Sequence, residues 1–472
     1  MKVAVHKGPR TVLKNATIVN EGDISCADIA IRGDRIEHIA SSITTDTTDQ
    51  IIDVEKCWVM PGMIDDQVHF REPGLTHKGS IATESTAAVA GGITSYMEMP
   101  NVKPSTTTIQ ALREKHAIAK QHSAANYSFY LGATPDNLDE IKAVDPSWVC
   151  GVKVFMGAST GDLLVEHPDA LDAIFRECPT LIATHCENGA VIQKNEQTLR
   201  VGDTPFTIND HPKIRDHEAC YQSSSYAVSL AKKHNSKLHV LHLTTAKEMA
   251  LFEPSPIEQK RITAEACVHH LWFNEDDYAR LGNLIKCNPA IKSETDRLAL
   301  IQALHDDRID IIATDHAPHT WQEKQQAYET APAGLPLVQH ALPSLIDQVQ
   351  RGTMSLTQVV QKVAHNPAIR YGIKERGFIR EGYFADLVVI APECPSPVSH
   401  ANARYHAQWT PFVDHTFSSR IKATFVNGHC VYTDQKSDNF RNLSATERNF
   451  ANQVNGQIHF QSELAQPLQF AP

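Results

Sequence analysis

Ile312-Ala313-Thr314-Asp315-His316 is a short apolar run, of strand length, that stops at a carboxylate and an imidazole. Four other stretches also combine a strand-like run with a residue that can hold a divalent metal. They are Asp65-Asp66-Gln67-Val68-His69, Gly151-Val152-Lys153-Val154-Phe155, Ala183-Thr184-His185-Cys186-Glu187 and Leu238-His239-Val240-Leu241-His242. Apolar strands that end in polar groups are typical of a (β/α)8 barrel, in which groups from several strands meet at the carboxyl-terminal rim.

The segment from about residue 58 to 370 alternates strand-like and helix-like patterns, which favours a parallel sheet. Its eight strand candidates end near Val68, Met99, Gly132, Phe155, Thr184, His242, Ala266 and Thr314. Helical patterns lie between them, for example over 80–90 and 218–233. The alternative is a doubly wound open sheet, which usually carries a glycine-rich phosphate loop after its first strand. No such loop is found in the sequence, so we predict an α/β fold with a (β/α)8 TIM barrel.

Short strand patterns with polar turns flank this segment, over 11–59 and again over 377–432. They predict a small β-sandwich domain built from both ends of the chain. The predicted division is 1–57 with 372–435 for the composite β domain, 58–371 for the metal-dependent barrel and 436–472 for a C-terminal tail. The tail is polar with scattered apolar residues. The sequence leaves two alternatives open for it: packing on the barrel, or packing on a partner subunit.

The composition excludes several classes of partner. The chain has 472 residues and a net charge of -11, which argues against nucleic acid or an anionic membrane as the main partner. Its ten cysteines include no Cys-x-x-Cys pair, which predicts reduced, buried thiols in a cytoplasmic protein. The first residues contain no long apolar stretch, so neither a signal peptide nor a membrane span is expected.

Imidazole and carboxylate groups follow different predicted strands at His69, His185, His242 and Asp315. A lone histidine at a strand end is usually structural, but several at the same rim predict a zinc-type site. Lys153 lies in mid-run, where its side chain would point into the barrel at a high cost for a bare ammonium. Two alternatives remain open for it: a carbamate that bridges two metals, or an ion pair with a carboxylate such as Glu98.

Several motifs together resemble the amidohydrolase superfamily, and within it the dihydroorotases. They are Arg71-Glu72-Pro73-Gly74, Met99-Pro100-Asn101, Lys153-Val154-Phe155-Met156, Thr184-His185-Cys186-Glu187-Asn188 and Thr314-Asp315-His316-Ala317-Pro318-His319. The resemblance runs from about residue 11 to 432, and only the motif at Thr314 to His319 is specific by itself. It implies zinc, with one or two ions per subunit, and a carboxylated Lys153.

By this resemblance, one metal is held by Lys153, His185 and His242, and the other by strand-one histidines, Lys153 and Asp315. The sequence departs from the family pattern of His-x-His, because Gln67 replaces the first histidine. The first metal position therefore lacks one strong ligand, and the number of metals stays open. Strand alternation predicts that Asp65 shares the face of Gln67 and His69, whereas Asp66 points away.

The substrate-binding residues implied by the resemblance are Arg71, Asn101, Asn288, His319 and Gly334. Arg71 suits a carboxylate, since a guanidinium binds it through two parallel hydrogen bonds. Each residue also has an alternative without a role in binding. Arg71 would lie in a surface ion pair, an asparagine would lie in a turn, and His319 would be solvated. The polar segment over 319–334 is predicted to be a mobile lid.

The implied reaction is the reversible cyclisation of N-carbamoyl-L-aspartate to L-dihydroorotate in de novo pyrimidine biosynthesis, by a homodimer. A metal-bound hydroxide would be the nucleophile, and Asp315 the general acid and base that moves the proton. One alternative is a cyclic amidohydrolase of the allantoinase or dihydropyrimidinase type, which binds uncharged rings. The other is a non-catalytic partner protein of the same family, which only the replacement at Gln67 supports.

Overall fold

Strands from the amino-terminal end begin a mixed sheet in the computed structural model, which describes residues 9–157, 163–434 and 464–471. These strands are β1 (Arg10–Asn20), β2 (Asp23–Arg32), β3 (Arg35–Ala40), β4 (Gln50–Asp53) and β5 (Trp58–Pro61). β1 pairs antiparallel with β2 and parallel with β4 and β5. Apolar side chains such as Leu13, Ile29 and Val59 form its buried core.

Eight parallel strands follow and form the barrel. They are β6 (Met63–Val68), β7 (Ile93–Glu98), β8 (Asn126–Gly132), β9 (Gly151–Phe155), β10 (Ile182–His185), β11 (Leu238–Val240), β12 (Ile262–Cys267) and β13 (Ile311–Ala313). Each pairs with the next along the chain. A parallel bridge between Val68 and His316 closes the sheet, and the His69 N–H donates to the His316 carbonyl at 2.7 Å. The predicted (β/α)8 barrel is confirmed.

The chain then returns to the first sheet. The remaining strands are β14 (Leu387–Ala391), β15 (Ser396–Pro397), β16 (Thr416–Phe417), β17 (Arg420–Val426) and β18 (His429–Thr433). β14 pairs with β5 and β17, so both ends of the chain build one small β domain, as expected. β15 and β16 form a separate two-stranded sheet. Because β5 lies in the small sheet, the barrel strands begin at Met63; the predicted domain boundaries themselves remain a prediction.

Helices cover the barrel strands and connect them. The α-helices are α1 (Ile81–Ala90), α2 (Ile109–His122), α3 (Leu138–Lys142), α4 (Pro168–Glu177), α5 (Gly189–Leu199), α6 (His211–Ile214), α7 (His217–His234), α8 (Val268–Trp272), α9 (Tyr278–Leu281), α10 (Glu294–His305), α11 (Trp321–Lys324), α12 (Ala341–Gln350), α13 (Leu356–Val360) and α14 (Asn366–Tyr371). Short 3-10 turns lie at Ile208–Asp210, Ala246–Leu251, Ile257–Gln259, Glu275–Asp277, Gly282–Ile285 and His400–Asn402, and a π turn at Gln361–His365. Among the described residues, no helix is long and apolar enough to cross a membrane.

Residues 464–471 pack against the amino-terminal end of the barrel. The Tyr127 N–H donates to the Gln466 carbonyl at 3.1 Å, and the Leu468 N–H donates back to the Tyr127 carbonyl at 2.8 Å. Leu468 and Phe470 are buried in a cluster that contains Ile64 from β6 and residues of β7, β8, β10 and β13. This part of the predicted tail therefore lies on the barrel, whereas 435–463 lie outside the described residues.

No disulfide bond joins any of the ten cysteines, all of which lie in the described part of the chain, in agreement with the expected reduced state. Cys150 is buried, but Cys26 is exposed and Cys57 is half-buried. The expectation of burial was therefore wrong for Cys26. It lies in the exposed first part of β2, where an apolar neighbour such as Ile24 is also exposed to solvent.

Candidate active site at the carboxyl ends of the barrel strands

His185 and His242 face each other at the ends of neighbouring strands, β10 and β11. The distance from His185 Nδ1 to His242 Nε2 is 3.0 Å. Burial lowers the pKa of both imidazoles. They are therefore neutral at physiological pH, which is the form that binds metal ions.

Glu187 orients this histidine pair. Its carboxylate lies 3.0 Å from His185 Nε2 and is also paired with the Arg215 guanidinium. Burial opposes ionisation of Glu187, but Arg215 and His185 outweigh it and lower the pKa to about 2. A metal-binding histidine commonly places its second nitrogen against a carboxylate, which fixes the ring and its tautomer. The sequence motif contained Glu187, but its position two residues after His185 was the only signal for this role.

His69 and Asp315 form a second pair at the ends of β6 and β13. His69 Nε2 lies 3.1 Å from Asp315 Oδ1, and His69 Nδ1 lies 2.7 Å from Asn101 Oδ1. The Gln67 amide also donates to Asp315 Oδ1, at 3.1 Å. Burial opposes ionisation of Asp315, but His69 lowers the pKa of the carboxyl below its usual value. Both contacts end on Oδ1, so within the described residues Oδ2 is left without a hydrogen bond.

Lys153 lies on β9, fully buried as the sequence predicts. Glu98 pairs instead with Lys115, at 3.0 Å, so the alternative of a Lys153–Glu98 ion pair is wrong. No carboxylate of the described residues lies within 4.0 Å of the Lys153 amine. Burial lowers its pKa to about 8, although Asp315 and Glu265 oppose this shift.

The predicted metal ligands thus come together as two pairs with Lys153 near both. The Lys153 charge acts on the pKa of His69, His185 and His242. Neutral imidazoles, a carboxylate and a buried amine without an anion fit a zinc-type site once the amine carries a carbamate. Two tighter groups of three ligating residues also occur among the described residues. They are Asp66, His239 and Glu265, and Cys267, His269 and His270.

Asp66 points into the barrel, which corrects the alternation expected for β6. His239 Nε2 lies 3.2 Å from its carboxylate and 3.5 Å from that of Glu265. These partners lie on β11 and β12, which do not neighbour β6, so the contacts cross the interior. Asp65 instead contacts Thr314 beside the adjacent strand β13. The physical reason is a register shift between Asp65 and Val68, which the sequence pattern does not show.

Arg71 is buried near the pair of His69 and Asp315. Its Nε donates to the Pro318 carbonyl at 3.1 Å, and its Nη2 lies 3.1 Å from His319 Nε2. None of the carboxylates in the described ranges lies within 4.0 Å of the guanidinium. Burial lowers the pKa of Arg71 to about 10 and that of His319 to about 3, with Arg71 adding to the latter. The arginine is thus a buried cation beside a neutral histidine, and the alternative of a surface ion pair is wrong.

Lys78 is a further cation at this position, which sequence reasoning missed. Its amine lies 3.1 Å from His319 Nδ1 and 3.0 Å from Glu323. The only signal was its place shortly after the Arg71 motif, on the loop that leads into α1. Lys78 fixes the orientation of His319 from the side opposite to Arg71.

The other predicted substrate-binding residues have different surroundings. Asn288 Oδ1 is buried and has no hydrogen-bond partner among the described residues, so it is able to accept a hydrogen bond from a ligand. Asn101 is engaged by His69. Gly334 has a φ of 138°, and a Cβ there would collide with the Ala317 carbonyl, so only glycine fits beside His319. The roles of these residues in binding a substrate remain a prediction.

The segment over 319–334 is tied to the barrel. The Lys324 amine donates to three carbonyls, those of Lys286, Pro332 and Gly334, at 2.9 to 3.1 Å. The Trp409 indole donates to the His319 carbonyl at 2.7 Å. These bonds order the segment in this state, and the lid motion remains a prediction.

Three site residues have left-handed backbone conformations: Arg71 with φ 75°, His242 with φ 39° and Asp315 with φ 49°. Such conformations cost non-glycine residues free energy and persist where the surrounding structure imposes them. Their coincidence at the rim of the barrel supports a functional site there.

Comparisons with a family model and with individual proteins point to the same family. The family model described as "Amidohydrolase family" matches residues 58–431. A dihydroorotase from Halobacterium salinarum is 33% identical over 392 residues, which cover 82% of this chain and 89% of that protein. A dihydroorotase from Methanosarcina acetivorans is 29% identical, over 86% of this chain and 88% of its own. An allantoinase from Bacillus velezensis is also 29% identical, over 90% of this chain and 94% of its own.

Solved structures show the same architecture. An L-hydantoinase (dihydropyrimidinase) from Arthrobacter aurescens superimposes with a TM-score of 0.84 at 26% identity, over 89% of this chain and 95% of that one. A D-hydantoinase from Thermus sp. gives a TM-score of 0.80 at 22% identity over the same shares. The second likeness concerns the fold alone.

Proposed function

The chain belongs to the amidohydrolase family and is a metal-dependent cyclic amide hydrolase, and we propose that it is a dihydroorotase. The proposed reaction interconverts N-carbamoyl-L-aspartate and L-dihydroorotate. Relatives with this activity and relatives that are allantoinases are similarly distant, so identity does not choose between them. The choice rests on the charge of the substrate that the site can accept.

Arg71 is the observation that carries the proposal. A buried guanidinium without an anion is costly, and a bound carboxylate would remove that cost through two parallel hydrogen bonds. L-Dihydroorotate carries a carboxylate on its ring, whereas hydantoin and allantoin rings are uncharged at that position. Lys78 holds His319 against Arg71 from the other side. The three residues therefore form a pocket for an anion beside the predicted metal ligands.

The proton moves at Asp315. Since His69 and Gln67 both contact Oδ1, the free Oδ2 is the atom that can accept a proton from the attacking water. The same atom then donates this proton to the ring nitrogen as the amide bond breaks. In the ring-closing direction the proton travels the opposite way. Asn288 Oδ1, buried and unpartnered, is placed to accept a ring N–H.

A zinc ion, or a pair of them, completes the proposal. His185 and His242 would hold one ion, His69 and Asp315 the other, with a carboxylated Lys153 as the shared ligand. When bound, such an ion lowers the pKa of water to about 7 and polarises the ring carbonyl. The neutral imidazoles support this assignment, and so does the Lys153 amine, which has no carboxylate of the described residues within 4.0 Å. A homodimer in the cytoplasm, acting on a small molecule, belongs to the same proposal.

The test is turnover of L-dihydroorotate and of N-carbamoyl-L-aspartate by the purified chain, with zinc and bicarbonate present. Asp315→Asn should lower kcat by on the order of 10²–10⁴, the usual contribution of general acid–base catalysis. Near-normal turnover in that variant would contradict the role of Asp315. Turnover of hydantoin or allantoin, with none of L-dihydroorotate, would favour the uncharged-ring alternative. Folded, metal-loaded protein that turns over none of them would favour the non-catalytic alternative.

A further inference from the structure

Cys267, His269 and His270 form a cluster of metal-ligating side chains that the proposed reaction does not use. Cys267 is the last residue of β12, and both histidines lie in the first turn of α8. One ligand atom from each residue lies within 4.8 Å of the other two. The cluster is fully enclosed, because the exposed fractions of these residues are 0%, 0% and 3%.

The histidines of this cluster have nitrogens without partners. Both ring nitrogens of His269 are buried without a hydrogen bond. His270 Nε2 lies 3.1 Å from the Pro289 carbonyl, to which it donates, so the unpartnered Nδ1 carries the lone pair. A histidine that donates one N–H to a backbone carbonyl and turns its other nitrogen inward has the usual arrangement of a metal ligand. In folded proteins the large majority of buried polar atoms have a hydrogen-bond partner, so these unpartnered nitrogens need an explanation.

The other group of three ligating residues has a different explanation. His239 lies between the carboxylates of Asp66 and Glu265, and this ion pair accounts for its burial. Among the described residues, no carboxylate lies within 4.0 Å of a His269 ring nitrogen. Asp315, which acts on the pKa of His269, is already held by His69 and Gln67. The two imidazoles beside Cys267 therefore lack the compensation that His239 has.

We propose that Cys267, His269 and His270 bind a divalent cation of the zinc class at a site separate from Lys153. Cysteine thiolates and histidine imidazoles are the ligand types that zinc prefers, and a three-ligand set leaves a fourth position open. Cys267 Sγ donates to Glu265 Oε1 at 3.4 Å and lies 3.9 Å from Gln67 Oε1, so both oxygens are near the cluster. On binding, the sulfur–metal bond forms as the thiol S–H bond breaks, and the proton leaves to solvent.

Cobalt(II) is the probe for this site, because a bound thiolate gives a sulfur-to-cobalt charge-transfer band in the near ultraviolet. The full chain loaded with cobalt should show the band. Cys267→Ser should remove it, whereas the burial-matched control Cys150→Ser should retain it. Lys153→Ala should also retain the band, since Lys153 is not a ligand of this site. This last variant separates the inference from the proposed function, which Lys153→Ala should abolish.

His269→Ala should weaken cobalt binding by more than the roughly 10–100-fold that the loss of an outer-shell partner costs. Zinc X-ray absorption on the unmodified chain adds a readout that needs no variant. It should show a sulfur shell at about 2.3 Å beside the nitrogen and oxygen neighbours of the other zinc ions. A cobalt-saturated chain without the band, or a band that survives in Cys267→Ser, would overturn the proposal. A zinc spectrum with nitrogen and oxygen neighbours only would do the same.

Discussion

The proposed chemistry depends on Lys153, which is buried and which no carboxylate of the described residues approaches within 4.0 Å. Its position in the middle of an apolar run is sufficient to predict that it points into the barrel. The run does not reveal whether a carboxylate meets it there. The structure shows Glu98 paired with Lys115, which comes from α2 and was not a candidate from the strand patterns. Long-range packing of this kind is absent from a local sequence pattern.

The first prediction concerns carbamate formation on Lys153. Only the neutral amine reacts with carbon dioxide, and burial lowers the pKa of Lys153 from 10.5 to about 8. At fixed dissolved carbon dioxide, the initial rate of carbamate formation should therefore rise with pH and level off above pH about 8, where the amine is mostly neutral. Carbon-13 NMR of the metal-free chain with labelled bicarbonate measures it.

The control is internal, since Lys115 is equally buried but paired with Glu98. Lys153→Arg should remove the carbamate signal and leave Lys115 unmodified. A signal that persists in Lys153→Arg, or an unmodified wild-type chain, would contradict the bridge.

At the scale of elements, the ends of the barrel strands were predictable to within about two residues. Apolar runs that are rich in β-branched residues indicate buried strands. The polar residue at the end of each run marks the carboxyl-terminal rim of the barrel. The phase of β6 was not predictable, because a register shift turns Asp66 inward. The cluster of Cys267, His269 and His270 was missed for a related reason. Its residues span a strand end and the next helix turn, so no strand or helix period links them.

The second prediction concerns the ion pair of His239 with Asp66 and Glu265. Although burial opposes it, these carboxylates raise the pKa of His239 from 6.5 to about 9. Because the pKa of His239 is higher in the folded state, its protonation stabilises the fold. This contribution is fully present below about pH 6.5 and is lost as the pH rises through about 9. His239→Leu should cost roughly 3–5 kcal/mol near neutral pH, because two buried carboxylates lose their cation.

Urea unfolding across this pH range measures the effect. Thr263→Val is the matched control, because it removes only the hydroxyl that lies 2.8 Å from His239 Nδ1. It should cost about 1 kcal/mol and keep the pH dependence. An equal loss in both variants, or a wild-type stability that does not fall at alkaline pH, would refute the ion pair.

At the scale of the whole molecule, the two-ended β domain followed from strand patterns at both termini. The place of the tail did not, because its scattered apolar residues fit several surfaces equally well. The structure shows that Leu468 and Phe470 cover the amino-terminal end of the barrel. This end is opposite to the candidate active site. Residues at the amino-terminal end of such a barrel contribute to stability rather than to catalysis.

The third prediction follows from that packing. Leu468→Ala should lower the free energy of unfolding by roughly 2–5 kcal/mol, since the side chain is fully buried. The neighbouring Gln469 is exposed, so Gln469→Ala should change stability little. Thermal unfolding of the two variants is the measurement. Equal stability would show that residues 464–471 do not hold the barrel closed in solution.

The role of Arg71 is measured by comparing kcat/KM for L-dihydroorotate with that for 5,6-dihydrouracil, which has the same ring without the carboxylate. If Arg71 binds the carboxylate, the wild-type chain should prefer L-dihydroorotate. Arg71→Met should then reduce that preference roughly tenfold to a hundredfold, the value of hydrogen bonds to a charged group. Equal or faster turnover of 5,6-dihydrouracil by the wild type, or a preference unchanged in Arg71→Met, would contradict the account.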